Sequence, residues 1–170
     1  AAELERTRES PEVAHTIFDG YLCSAEYLLY GPTPYAEVIE LAGDLAATAR
    51  RSGAQRAEAF ATALLGEAAL LSGDLARAAP ALERAGALHH TIGSVGGEAH
   101  AVQRLAEARL AGGDRAGARE LLDRALPLAR RSILARHLLH RVLGTMIAAA
   151  EDPQQARATV DRAEAGMGWD

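Results

Sequence analysis

Residues 54 to 93 read AQRAEAFATALLGEAALLSGDLARAAPALERAGALHHTIG, and the reading of this stretch decides the fold. Its pattern returns over residues 94 to 131 and, slightly shortened, over 132 to 165. Leu65, Gly66, Gly73, Asp74, Ala78, Leu82, Glu83, Arg84 and Ala85 recur as Leu105, Ala106, Gly113, Asp114, Ala118, Leu122, Asp123, Arg124 and Ala125. The third copy reads Leu143, Gly144, Glu151, Asp152, Ala156, Val160, Asp161, Arg162 and Ala163. A period of this length belongs to stacked arrays in which each unit buries its apolar face against its neighbours.

Each copy predicts two helices. In the first, a helix from about Ala54 to Ser72 meets Gly73 and Asp74, a glycine C-cap and an aspartate N-cap placed back to back, and a second runs from Leu75 to about Ile92. A turn this short makes the two helices antiparallel. Pro80 lies inside the second helix and is expected to kink it or to mark a later start. The next copy predicts helices over Val95–Ala111 and Arg115–Arg131, with Pro127 bending the last turn. In the third, Ser132 is the expected cap of a helix to about Ala150. Asp152, Pro153 and Gln155 then supply a cap, a first-turn proline and a capping-box partner for a helix to about Glu164.

Working outward, residues 10 to 53 take the place of an atypical first pair: Ser10 and Pro11 open a helix to about Tyr30, and Thr33 and Pro34 open another to about Ser52. Gly53 stops it. Val13, Ile17, Tyr21 and Leu28, then Val38, Leu41 and Leu45, repeat at helical spacing. Residues 166 to 170 form a tail, in which Trp169 is expected to cover one end of the array. The expected fold is all-α, a right-handed α-solenoid of about four antiparallel helical hairpins in one domain over residues 1 to 170.

Composition agrees: Ala is abundant, aromatics are 4% and β-branched residues are sparse, so propensity favours helix throughout. All 18 basic residues are Arg, and Lys and Asn are absent; both missing types use A-rich codons, which points to a GC-rich bacterial genome. The net charge of −5 argues against direct nucleic-acid binding, which needs a basic surface to neutralise phosphates. Cys23 is the single cysteine, so no intrachain disulfide is available and a reducing cytoplasm is the expected compartment. No apolar run approaches the roughly 18 residues of a membrane span. The sequence starts at Ala1 without an initiator Met and stops soon after a helix, so it is expected to be a piece of a longer protein.

The repeated Leu65-Gly66, Gly73-Asp74, Ala78, Leu82 and Ala85, with their later counterparts, resemble the tetratricopeptide repeat. The distance from Gly73 to Gly113 is 40 residues, longer than the roughly 34 of the common form. Thr62, Val102 and His140 stand where the family often has an aromatic, and Ala69, Arg109 and Ile147 replace a frequent Tyr. Long-helix variants rich in Ala, Leu and Arg look like the helical arms of large bacterial transcriptional regulators.

The resemblance implies a concave groove lined by the first helix of each copy. Phe60, Glu67 and Leu71, then His100, Gln103 and Glu107, then Leu138, Arg141 and Thr145 would face it. Its partner would be a protein or peptide, or a small-molecule inducer, and the apolar ends of such an array allow a homodimer. The family's clamp for a peptide carboxyl terminus, built from Lys and Asn, is unavailable here.

The residues also carry blander readings. His137 and His140 stand three apart on one helix but have no further ligands in sequence and are flanked by Arg136 and Arg141, which repel a cation. His15, His89 and His90 read as packing or surface groups. Arg130, Arg131, Arg136 and Arg141 lack interleaved aromatics for stacking on bases. Arg84, Arg124 and Arg162 are expected to pair with the preceding acid or with a neighbouring repeat. Without Lys there is no GxxxxGK[ST], and HExxH, GxGxxG and GxSxG are absent, so neither a cofactor nor catalysis is expected. The alternative is a small-molecule receptor with Phe18, Tyr21 and Phe60 lining an apolar pocket.

Overall fold

A computed structural model describes the backbone of residues 27–132 and 135–167 and the side chains of residues 27–132 and 137–161. The helix opening at Ser10, His15, the Phe18–Tyr21 pocket wall, Cys23, the side chains of Arg136 and Arg162, and Trp169 lie outside the described residues. Every element described is helical. After a helical turn at 27–29 come α1 (Tyr35–Arg51), α2 (Gln55–Leu71), α3 (Leu75–Thr91), α4 (Val95–Ala111), α5 (Arg115–Arg131), α6 (Ala135–Ala148) and α7 (Pro153–Met167). No helix among the described residues is long and apolar enough to cross a membrane.

The first five helices each span 17 residues. The punctuation between them has one mechanism. Gly53, Gly73, Gly93 and Gly113 all take positive φ, the left-handed conformation that glycine adopts without the steric cost of a Cβ. Around each, two backbone bonds close a Schellman motif: Gly73 N–H donates to Leu70 O (3.0 Å) and Asp74 N–H to Ala69 O (2.9 Å), with the same pattern at the other three. Asp74 then caps the next helix by accepting from Arg77 N–H, and Asp114 does so from Gly117 N–H. One residue thus ends one helix and begins another, which is why three linker residues suffice.

Two expected boundaries move and one holds. Pro34 is itself the N-cap of α1, with Tyr35 first in the helix and no side-chain cap. Ser132 ends α5 in an extended conformation, and α6 starts at Ala135. Pro80 marks no late start: α3 begins at Leu75 and runs through it, with Pro80 and Ala76, whose carbonyl loses its donor, both exposed residues. At α7, Asp152 Oδ1 accepts from Gln155 N–H (2.8 Å) as expected, while Gln155 Oε1 reaches back to Glu151 N–H (2.7 Å), one residue before the cap.

The described contacts gather in two compact units, one up to Ser94 and one from Val95. In the first, α2 packs against both α1 and α3; in the second, α5 packs on α4 and α6, α6 also meets α4, and α7 packs on α6. One stripe each of α1, α3 and α5 is buried: Val38, Ala42, Leu45 and Ala49 in α1, Ala78, Leu82, Ala85 and His89 in α3, Ala118, Leu122, Ala125 and Ala129 in α5. The repeated small residues let the axes approach. At Gly66 an added Cβ would lie 2.7 Å from Leu82 Cγ, so α2 and α3 approach closely there.

Candidate functional site

The two units place the expected groove residues differently. In the first, Glu67 is buried and accepts a hydrogen bond from the Tyr30 hydroxyl (2.9 Å). Phe60 meets the edge of buried His89, ring centroids 4.8 Å apart at 90°, and carries the Arg56 guanidinium 5.6 Å from its ring centre. Leu71 is exposed at the end of α2, and Tyr27 and Tyr30 are exposed ahead of α1.

In the second unit Gln103, Glu107, Arg141 and Thr145 do come together, between α4 and α6. Gln103 is fully buried, and its Nε2 donates to Glu107 Oε1 (2.6 Å) and Thr145 Oγ1 (2.8 Å). The carboxylate fixes the amide's orientation, since a flipped Gln103 would set two acceptors face to face. Arg104 Nη1 donates to Glu107 Oε2 (2.6 Å). The single hydroxyl proton of Thr145 lies within reach of Glu107 Oε1 (3.2 Å) and the Arg141 carbonyl (3.0 Å). Against this network opens a groove of about 410 Å³, with Arg104, Glu107, His140, Arg141 and Gly144 on its walls. His100 is partly buried on α4, and Leu138 is buried beneath Gly96 rather than facing the groove.

Two polar anchors escaped the sequence reading. Glu58 is buried and accepts from Arg84 Nη2 (2.6 Å) and Arg50 Nε (2.8 Å), joining three helices. Arg84 therefore pairs with the other helix of its own copy, not with Glu83. Burial alone would raise the Glu58 carboxyl, but the hydrogen bonds and charges of the two arginines outweigh it and hold the group below the ordinary carboxylate value. The missed signal was its register: Glu58 stands at the fourth position of α2, where α1 has Val38 and α3 has Ala78. Arg115, at the first position of α5, donates to Ala148 O and Ala150 O (both 2.9 Å), and Arg119 pairs with Glu151 nearby. A cation at a helix N-terminus opposes the macrodipole, and that oddity marked it in sequence.

His137 and His140 are both exposed, and among the described residues no group of three or more His, Cys, Asp or Glu side chains is placed to hold a metal ion. A smaller cavity of about 220 Å³ lies between α5, α6 and α7, over Leu122, Met146 and Thr159. No protein-family model, curated protein or solved structure matches the chain.

Proposed function

We propose that the chain is an interaction arm of the tetratricopeptide type, a right-handed α-solenoid serving a cytoplasmic bacterial transcriptional regulator, with no catalysis of its own. It binds a protein or peptide in the groove between α4 and α6. The observation that carries this reading is the convergence of Glu107, Arg141 and Thr145 at one open groove, its polar floor held by the hydrogen bonds of buried Gln103 between α4 and α6. Such a floor is preorganised, so a partner does not pay to order it. Support for the repeat architecture comes from the duplicated glycine–aspartate junctions and the recurring buried stripe.

The test is a peptide-display selection on the purified chain. Selected peptides should lose affinity for the double variant Glu107→Arg, Arg141→Glu while circular dichroism shows its helix content intact. Unchanged dissociation constants would remove the groove assignment.

The cavity over Leu122 and Met146, rimmed by Arg119, Asp123, Gln155 and Thr159, supports a second reading, a receptor for a small molecule. Native mass spectrometry decides it: a small mass lost on denaturation favours the receptor, and a bare chain leaves peptide binding in place.

A further inference from the structure

The smaller cavity, between α5, α6 and α7, has walls of mixed chemistry. Leu122 and Met146 are its apolar side, and Arg119, Asp123, Gln155 and Thr159 its polar side. Leu122 and Thr159 are buried whereas Asp123 and Gln155 are exposed, so it runs from a buried floor to a charged mouth. Two side chains of that mouth are fixed to one residue of the α6–α7 link. Arg119 pairs with the Glu151 carboxylate, and Gln155 Oε1 accepts from the Glu151 N–H (2.7 Å), while the Gln155 carbonyl accepts from Thr159 Oγ1 (3.1 Å). Asp123 follows Arg119 by one helical turn on α5, which sets a cation and an anion side by side at the opening. A volume of about 220 Å³, at ~30 Å³ per water, gives room for a molecule of on the order of ten non-hydrogen atoms.

Resting on the receptor reading above, we infer that this cavity takes a free α-amino acid with an aliphatic side chain. The side chain lies against Leu122 and Met146, the ammonium group faces Asp123, and the carboxylate shares the Arg119 guanidinium with Glu151. A guanidinium is a fork of several donors and can serve two carboxylates. An α-amino acid carries both charges on one carbon, a separation that suits side chains one turn apart on a helix. Charge complementarity selects the zwitterion. An aliphatic acid would bring a further carboxylate to Asp123 and Glu151 with no ammonium group to offset it, and an amine would set its cation beside Arg119 with no carboxylate to offset it.

The probes are leucine, isocaproate, which is leucine without its ammonium group, and isopentylamine, which is leucine without its carboxylate. Each is titrated into the isotopically labelled chain and followed by amide NMR. Saturable shifts at Leu122, Met146, Thr159 and Glu151 are expected with leucine, and binding about tenfold weaker or worse with either analogue. Asp123→Asn, at an exposed position, should weaken leucine about tenfold and leave isocaproate no weaker than before. Either analogue binding at these amides as tightly as leucine would overturn the zwitterion and leave the receptor reading standing. Leucine affinity indifferent to Asp123→Asn, or shifts confined to other surfaces, would overturn the placement. If none of the three probes moves these amides the inference falls, and the receptor reading is then decided separately by whether native mass spectrometry finds a small mass on the chain.

Discussion

Glu58 carries a charge at a position where neighbouring helices place Val or Ala, and it is tolerated because Arg50 and Arg84 close on it from α1 and α3. Both arginines keep about half of their side chains in water, so removing either one costs little; the buried acid is the costly member to lose. Glu58→Gln is expected to lower unfolding free energy by about 1–3 kcal/mol at neutral pH, measured by urea titration. The pH dependence follows from the depressed carboxyl. Its contribution is complete above the unfolded-state value, about 4.3, and is lost as pH falls through the lower folded-state value. The gap between wild type and Glu58→Gln should therefore close on acidification; a gap that widens would contradict the ion-pair assignment.

Helix pairs set their spacing through single small residues. At Gly66 a methyl would press on Leu82 Cγ at 2.7 Å and on the Leu82 backbone N at 3.1 Å, so α2 and α3 would have to part. Gly66→Ala should destabilise by about 1–3 kcal/mol despite the better helix propensity of Ala. Gly144→Ala should instead stabilise by about 0.5–1 kcal/mol, since its Cβ would meet none of the described residues within 4 Å. Paired melting curves compare the two, and a loss at Gly144 as large as at Gly66 would show that the two glycines do the same job. Ala118, fully buried in α5, and exposed Ala116 offer a second contrast. Leucine at 118 should cost about 1–3 kcal/mol and at 116 close to nothing. Sequence alignment matched Gly144 with Gly66, yet Gly66 meets Leu82 where Gly144 meets no described residue within 4 Å.

Across the molecule, protection should follow burial rather than repeat number. In α2 ten residues are buried and in α4 eight, whereas α5 buries one stripe of four. Amides in the middle of α2 and α4 are expected to exchange slowest in native-state hydrogen exchange and those of α7 fastest; equal protection in α7 would contradict this order. Helix type, the starts of α3, α4 and α5, and the glycine–aspartate junctions were determined by the sequence alone. These rest on backbone preferences and on hydrogen bonds spanning at most five residues, which neighbouring residue types encode. Gln103 and Thr145 were both legible as groove candidates, yet their direct bond, 42 residues apart, was not. Nor was the pairing of Glu58 with Arg84 across 26 residues, nor that a Cβ on Gly144 would meet none of the described residues within 4 Å. Those depend on how far apart and at what rotation two helices settle, which only the tertiary structure decides, because many side chains share the packing that sets it and no local pattern records it.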